Sequence, residues 1–187
     1  MKMLKSTALL ILAALSASCG YRTVAEAGYP AQKIYIAAAA QGNVYTVDTR
    51  PAHTSNTPTQ GSTFRYVIDG DTFSVPLAVY RSGIDNSGDV WVSAVFDDSV
   101  VTELESAGEL SGVVLIPEDS RSLDGDLVVA DGRESAAFSV SVPLQYLRDA
   151  ADGSRFAFGI RISSQDREVN GSLDRIAVVI DHRIFEE

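Results

Sequence analysis

The sequence predicts a mostly β protein: an antiparallel β-sandwich with one short helix crossing between strands, after an N-terminal signal segment. Apolar and polar residues alternate over short segments, most clearly in Phe73–Val79 and Ala136–Val142. Turn residues such as Asp69-Gly70 and Asp131-Gly132 separate these segments. After Phe96 the apolar period changes from two to about 3.6 residues, as expected for a helix. Together these observations favour two layers of short strands around one core.

The other strands are expected to pack around the segment Asp89–Phe96. Its alternation places Val90, Val92, Ala94 and Phe96 on one face of a strand and Trp91, Ser93 and Val95 on the other.

A short helix over Ser99–Ala107 is predicted to follow this strand. Its apolar stripe consists of Val100, Val101, Leu104 and Ala107. Asp97 or Asp98 can cap its first turn, and Gly108 is a favourable residue for its end. The chain then returns to extended structure at Val113–Ile116, before Pro117.

The first 18 residues are typical of a signal peptide. Lys2 and Lys5 precede an apolar stretch, Ala8–Leu15, that is too short to span a bilayer. Small residues then lead to Cys19, a pattern that resembles the bacterial lipoprotein signal, in which this cysteine carries the lipid. The alternative is an ordinary secretory signal with an incidental Cys19. We therefore expect residues 1–18 as signal peptide, 19–32 as a tether and 33–187 as the folded domain, and an outer-membrane lipoprotein on either its periplasmic or its cell-surface face.

The charge balance limits the classes of partner. The chain has 15 Lys and Arg against 25 Asp and Glu, a formal net charge of −10. Such a surface repels nucleic-acid phosphates and anionic lipid headgroups, so the membrane link is expected to come from N-terminal acyl chains. With one cysteine in the sequence, the domain is expected to fold without an internal disulfide.

Further strands are predicted along the first half of the chain. The predicted elements are the strands Lys33–Ile36 and Val44–Asp48, a polar loop over Arg50–Ser62, and a hairpin of Phe64–Ile68 with Phe73–Tyr80. Pro76 cannot donate a ladder hydrogen bond, so it marks the second hairpin strand as an edge strand or the site of a bulge.

The second half of the chain shows the same pattern. The predicted elements are the strands Asp126–Val129, Ala136–Val142, Phe156–Ile162 and Ile176–Ile180, with a helical turn over Pro143–Ala150.

This order of elements resembles the DUF1735 family, also called the BT_3987-like N-terminal domain family, of secreted Bacteroidetes lipoproteins. The matching segments are Gln32–Ile36, Tyr45–Val47, Tyr80–Gly83, Val92–Asp97, Leu115–Pro117, the Gly132 turn and Phe158–Ser163. The resemblance covers Ala31 to about Ile180. It implies an immunoglobulin-like sandwich of the kind that often precedes glycosidases or carbohydrate-binding modules.

Catalytic and metal-binding constellations are not expected, and we predict no enzyme activity and no cofactor. The two histidines, His53 and His182, are isolated in the sequence and are interpreted as surface residues. Most carboxylates lie in turns, where Asp has a local structural role. Asp85–Asp89 and Asp124–Asp126 offer oxygen ligands for calcium, but the later bidentate Glu of an EF-hand loop is missing.

Aromatic residues are the candidates for ligand binding, because flat rings can stack on sugars. The candidates are Trp91, Tyr80, Tyr66 and Tyr146. If Trp91 is exposed, it can form a binding platform with Tyr80. The interpretation that we prefer places Trp91 in the core, beneath the helix Ser99–Ala107.

The function that fits best is a lipid-anchored accessory protein of the cell envelope, a glycan-binding or scaffold component of a polysaccharide-utilisation system. The alternative is a structural or adhesin-like subunit whose sheet edge near Pro76 pairs with a protein partner. An unrecognised hydrolase would require two carboxylates that converge in a cleft.

Overall fold

A computed structural model describes residues 30–47, 66–151 and 153–185. The described residues from Ala31 onward form one compact unit. The signal peptide, Cys19, and the predicted loop over residues 50–62 with His53 lie outside the described residues. No helix in the described ranges is long and apolar enough to cross a bilayer.

The described chain is mostly β, as predicted, with two short α-helices. The strands are β1 Lys33–Ile36, β2 Val44–Val47, β3 Val67–Asp69, β4 Thr72–Arg81, β5 Val90–Phe96, β6 Val114–Leu115, β7 Ser122–Leu123, β8 Asp126–Val129, β9 Ser135–Pro143, β10 Arg155–Ser163, β11 Glu168–Val169 and β12 Arg175–Asp181. The helices are α1 Ser99–Ser106 and α2 Leu144–Arg148, and 3-10 turns cover Ala37–Gln41, Glu118–Ser120 and His182–Phe185.

The strands form two six-stranded sheets. The first sheet has the order β11-β1-β4-β9-β7, with β3 also beside β4. The second has the order β2-β12-β10-β5-β8, with β6 also beside β10. Inward side chains of both sheets, such as Val75 and Phe73 of the first and Phe158 and Ile160 of the second, are buried in one hydrophobic cluster. Burial of this alternating apolar set is the main source of stability of such a fold.

The predicted antiparallel pairing is found in seven of the ten strand pairs that the structure describes, and the other three pairs are parallel. Parallel pairs join β1 to β11, β2 to β12 and β6 to β10 in the part of the chain that is described. Each of these pairs connects strands that are far apart in the sequence, so no hairpin turn imposes an antiparallel direction on them. Between β1 and β2 the 3-10 turn Ala37–Gln41 carries the chain from the first sheet to the second.

Pro76 does not mark an edge strand, contrary to the prediction, because β4 lies between β9 and the pair β1 and β3. The N–H of Arg81 points toward β9, where it donates to the Glu134 carbonyl at 2.9 Å. Successive backbone N–H groups alternate between the two sides of a strand. The nitrogen of Pro76, an odd number of residues away, therefore faces the side opposite β9. On that side β3 pairs with residues 72–74 and β1 with residues 79–81. The proline therefore falls in the gap between two short neighbours, where no ladder donor is needed.

The helix α1 packs on the outer face of the second sheet. Its buried residues Val100, Val101 and Leu104 form a second cluster with Ala157 of β10 and Ala177 and Val179 of β12. Ala107, predicted to belong to this stripe, is exposed.

The side chain of Asp98, the N-cap residue of α1, makes no capping hydrogen bond, and the N–H of the first helical residue is instead satisfied by Asp97. Asp97 Oδ1 accepts hydrogen bonds from the Ser99 backbone N–H at 3.2 Å and the Ser99 hydroxyl at 2.5 Å. The next carboxylate, Asp98, accepts two hydrogen bonds from the Arg121 guanidinium instead, at 2.7 and 2.8 Å. Both bonds are charge-assisted, and the Arg121 contact is the main reason that the pKa of Asp98 lies below its usual value.

Candidate functional site

Trp91 is 62% exposed, so the interpretation that placed it in the core is wrong. The alternation of β5 was predicted correctly, with Val90, Val92 and Ala94 buried. The helix α1, however, covers the outer face of the sheet at β10 and β12 and leaves the outer face of β5 open. Trp91 therefore points outward on an uncovered part of the second sheet.

Tyr80 does not share a surface with Trp91. It belongs to β4 in the first sheet, where it alternates with the buried Val79 and Arg81 and so points to the outer face of that sheet. Its ring packs against Tyr35 of β1, with ring centroids 6.1 Å apart. Because the inner faces of the two sheets meet in the core, Trp91 and Tyr80 lie on opposite faces of the molecule. The predicted joint platform is thus excluded by the fold.

The other two candidate tyrosines pack largely inside. Tyr66 is 7% exposed and stacks on Phe73 with ring centroids 5.1 Å apart. Tyr146, on α2, is half-buried against Phe156 at 5.5 Å. Of the four candidates, Trp91 alone presents most of its side chain to solvent.

The open part of the second sheet around this tryptophan is called the Trp91 face. It consists of the outward residues of three neighbouring strands: Trp91, Ser93 and Val95 on β5, Val128 and Asp126 on β8, and Arg161 and Ser163 on β10.

The strand register arranges these side chains in rows across the sheet. Trp91 lies opposite Val128, and Val95 opposite Arg161. Between them, Ser93 lies opposite both Asp126 and Ser163. Side chains that are directly opposite have Cβ atoms about 5 Å apart, and rows two residues apart along a strand are separated by about 7 Å. An aromatic ring, a row of three polar groups and an exposed valine thus follow one another along β5.

The backbone at Trp91 is held on the β10 side by the loop after that strand. The Trp91 N–H donates to Asp166 Oδ2 at 2.8 Å, and the Ser164 hydroxyl donates to the Trp91 carbonyl at 2.6 Å. On the other side β5 pairs with β8. A ring on a strand that is bonded on both sides is presented with little loss of backbone freedom on binding.

Arg161 is the cation on the Trp91 face, and its charge is already paired. Its Nε donates to Asp97 Oδ2 at 2.6 Å and its Nη1 to Asp174 Oδ2 at 3.2 Å. The hydrogen bond to Asp97 is the main cause of the raised pKa of Arg161. At Asp97 the pKa is lowered chiefly by the Ser99 hydrogen bond and then by Arg161.

The turn carboxylates near β5 have structural partners. Asp89 Oδ1 accepts from the Asp131 N–H at 2.8 Å, Asp131 Oδ1 accepts from the Gly88 N–H at 2.6 Å, and Asp85 Oδ1 accepts from the Ser87 N–H at 3.0 Å. Within the described ranges no group of three or more His, Cys, Asp or Glu residues is placed to hold a metal ion.

His182 is buried, although its position in the sequence predicted a surface residue. It is 6% exposed and packs edge-on against Phe185, with ring centroids 5.8 Å apart. The 3-10 turn His182–Phe185 folds the chain back after β12 and covers the histidine, which the sequence pattern of the strand does not show.

A polar cleft of about 240 Å³ lies at one end of the first sheet. It is lined by Asp71, Thr72, Asp119, Ser120, Arg121, Ser122, Ser141, Val142 and Pro143. The Arg121 guanidinium is not available to a ligand there, because it is bound to Asp98 and stacked over the Phe96 ring at 4.3 Å.

A profile of the BT_3987-like N-terminal domain matches residues 30–169, about three quarters of the chain. The chain belongs to the DUF1735 family. The resemblance drawn from the sequence motifs is thereby confirmed. Among curated proteins, no sequence matches this chain.

Solved structures from Bacteroides share the fold of this DUF1735 chain. A candidate carbohydrate-binding protein from Bacteroides ovatus matches with a TM-score of 0.55 and 14% identity, over 79% of this chain and 36% of that one. A protein of unknown function from the same species matches with a TM-score of 0.53 and 12% identity, over 81% of this chain and 52% of that one. An auxiliary nutrient binding protein from Bacteroides thetaiotaomicron matches with a TM-score of 0.50 and 11% identity, over 75% of this chain and 44% of that one. The chain therefore spans about one third to one half of the length of these structures.

The polar row of the Trp91 face was not predicted as a site in this DUF1735 domain. The alternation of β5 assigned Ser93 to its outer face. Asp126, however, follows a turn in the sequence, and Ser163 lies at the end of a strand, so neither was expected beside Ser93. Their position side by side depends on the register of β8 and β10 against β5, which pairs residues 33 and 70 positions apart. The signal that was present in the sequence was Trp91 itself.

Proposed function

We propose that this protein binds glycans through the Trp91 face, as an accessory component of a polysaccharide-utilisation system. The observation that carries the proposal is a single exposed tryptophan on a rigid strand, followed by a row of hydroxyl and carboxylate groups. The face of an aromatic ring attracts the weakly positive C–H groups of a sugar, and the polar row supplies hydrogen bonds to its hydroxyl groups. Flat, open sheet surfaces of this kind suit an extended chain better than a small molecule.

The proposal includes an immunoglobulin-like arrangement of the two sheets. The first sheet places its strands in the order β1-β4-β9-β7, the succession of strands A, B, E and D in that fold. In the second sheet β12, β10 and β5 follow one another as strands G, F and C do. Two of the structural neighbours, described as carbohydrate-binding and nutrient-binding, agree with a binding role for proteins that contain this fold.

We further propose that the protein is an outer-membrane lipoprotein, anchored through acyl chains on Cys19. Its support is the sequence of residues 1–19 alone. Labelling of the expressed protein with a fatty-acid analogue tests this attachment, and an unlabelled protein would contradict it.

Binding rather than catalysis is proposed because the two carboxylates that follow β5, Asp97 and Asp98, are paired with arginines. Asp97 contacts Arg161, and Asp98 contacts Arg121. Strong pairing of this kind lowers the pKa of a carboxyl group and makes it a poor general acid.

The alternative, a structural subunit that offers a sheet edge near Pro76, lacks the predicted edge. The strand β4 has neighbours on both sides over most of its length. Pairing of a partner strand at that position would require β1 or β3 to move away.

The experiment that tests glycan binding uses the single tryptophan of the chain as its probe. In the free protein, we expect acrylamide to quench Trp91 fluorescence efficiently, because the side chain is exposed. Addition of a bound polysaccharide is expected to reduce the quenching constant, since a stacked sugar excludes the quencher. A panel of laminarin, galactomannan and xyloglucan provides the first ligands, with glycerol at matched viscosity as control. Full quenching in the presence of every polysaccharide would contradict the proposal.

A further inference from the structure

The polar row of the Trp91 face contains a carboxylate without a structural role. Asp126 is exposed at the start of β8, and its side chain makes no hydrogen bond or ion pair with the described part of the chain. Most neighbouring aspartates differ in this respect: Asp89 and Asp131 bind loop N–H groups, and Asp166 binds the Trp91 N–H. The Asp126 carboxylate therefore keeps its acceptor capacity for a ligand.

The two hydroxyl groups of the row are similarly uncommitted. The side chains of Ser93 and Ser163 have no hydrogen-bond partner within the described residues, and both lie on the outer face. Ser93 is flanked by Asp126 on one side and Ser163 on the other. A hydroxyl can donate or accept, whereas an ionised carboxylate only accepts. The row thus offers a strong acceptor next to two adaptable groups, which suits the donating hydroxyl groups of a sugar.

Arg161, the cation on the Trp91 face, does not offset the charge of Asp126. Arg161 is bound by both Asp97 and Asp174. Arg167, in the loop after β10, donates to the Asp166 carbonyl at 2.9 Å, and the neighbouring Asp166 side chain is itself negative. The polar row consequently carries an unbalanced negative charge within one strand spacing of Ser93.

We propose that the Trp91 face selects uncharged glycans and rejects those that carry carboxylate or sulfate groups, with Asp126 as the residue that sets this selectivity. The inference rests on the proposed function, since it names the class of glycan bound at the same site. An anionic sugar stacked on Trp91 lies one row, about 7 Å, from the Asp126 carboxylate, and Arg161, the cation of this face, is already paired. A neutral sugar donates a hydroxyl to the same carboxylate in a charge-assisted hydrogen bond.

The test compares each neutral polysaccharide of the panel with its own oxidised form. Selective oxidation converts primary hydroxyl groups of laminarin, galactomannan or xyloglucan into carboxylates and leaves the glycosidic linkages intact. Affinities are measured by isothermal titration calorimetry for the full chain, for Asp126→Asn and for Asp71→Asn. Asp71 is exposed in the turn before β4, a strand of the first sheet, so its substitution removes the same charge away from the Trp91 face.

The wild type is expected to bind a neutral polysaccharide and to bind its oxidised form at least about tenfold more weakly. Asp126→Asn is expected to weaken neutral binding by roughly tenfold, because a charge-assisted hydrogen bond becomes a neutral one, and to narrow the gap between the two forms. Asp71→Asn is expected to behave as the wild type.

The possible failures are distinguishable. Equal or stronger binding of the oxidised forms, or an Asp126→Asn variant that keeps the wild-type preference, overturns the selectivity while leaving glycan binding in place. Absence of binding to every polysaccharide, with Trp91 still quenched in full, overturns the proposed function and the selectivity together.

Discussion

Replacing Arg81 by methionine is expected to lower the free energy of unfolding by about 4 kcal/mol, a large loss for a single substitution. Arg81 is 3% exposed at the end of β4. Its Nε donates to the Arg133 carbonyl at 2.6 Å, and Nη1 to the carbonyls of Ser87 and Gly88 at 3.2 and 2.9 Å. Nη2 donates to the backbone carbonyl of Asn86 and, at 3.0 Å, to that of Ala130.

The guanidinium group therefore joins the loop before β5 to the turn after β8. Methionine keeps the apolar part of the side chain but removes five hydrogen bonds from the guanidinium group. The Asn86 and Ala130 carbonyls still accept from the backbone N–H groups of Gly132 and Arg133. The carbonyls of Ser87, Gly88 and Arg133 lose their donor, and each hydrogen bond to a charged group contributes about 1.5 kcal/mol or more. Urea denaturation measures the loss. The matched control is Arg133→Met, an exposed arginine of the same turn, which is expected to change stability by about 0.5 kcal/mol or less. A loss below about 1 kcal/mol in Arg81→Met would show that this network contributes little.

Substitution of Gly159 by alanine is expected to lower the free energy of unfolding by about 3 kcal/mol, the second large effect. Gly159 lies on the outer face of β10, directly under the start of α1. A Cβ at this position would overlap the Asp97 carbonyl oxygen and would lie 3.1 Å from Val100 Cβ. The overlapped oxygen belongs to backbone that is fixed at the same place, since the Asp97 N–H donates to the Gly159 carbonyl at 2.9 Å. The helix must therefore shift away from the sheet, which opens its contact with Ala157 and Val179.

The matched control for this substitution is Gly171→Ala. A methyl group added at Gly171 would meet no atom within 4 Å other than those of its chain neighbours, and the φ of this glycine is ordinary. Alanine there is expected to leave the free energy of unfolding unchanged or to raise it by about 0.5 kcal/mol, because it lowers the conformational entropy of the unfolded chain. Thermal or urea unfolding of the two variants separates the steric effect from the general effect of glycine replacement. Equal stabilities of the two variants would contradict the close packing of α1 on β10.

The long strands and the helix were predictable from the sequence because their side chains are sorted locally. The segments β4 and β9 alternate over at least five residues, and α1 shows three buried residues at helical spacing. The two-residue strands β7 and β11 were missed, because two residues cannot display a period. The parallel pairs were missed for a different reason: they depend on contacts between distant segments.

The exposure of Trp91 follows from where the helix α1 packs. The helix was predicted correctly but was expected to cover β5, and it covers β10 and β12 instead. The sequence contains a signal for this position: small residues occupy the outward sites Ala157, Gly159 and Ala177, where a helix can approach closely. On β5 the corresponding outward sites hold Trp91 and Val95, which are too large for such an approach.

The division of Trp91 and Tyr80 between two sheets could not be predicted from local patterns. Both residues alternate outward on their strands, and the strands follow one another in the sequence. Whether two consecutive strands pair or move to opposite sheets is decided by long-range partners, which are β9 for β4 and β10 for β5. Arg81 follows Tyr80 directly, and its burial was likewise not predictable, since it depends on two loops that meet only in the folded chain.

The measurement that tests the central claim most directly is the affinity of Trp91→Ala for a polysaccharide that the wild type binds. We predict a loss of about thirtyfold, because truncation of a tryptophan on which a ligand stacks costs about 2 kcal/mol. Tyr80→Ala removes an aromatic ring from the opposite sheet and is expected to keep the wild-type affinity. Wild-type affinity in Trp91→Ala, or an equal loss in both variants, would contradict the assignment of binding to the Trp91 face.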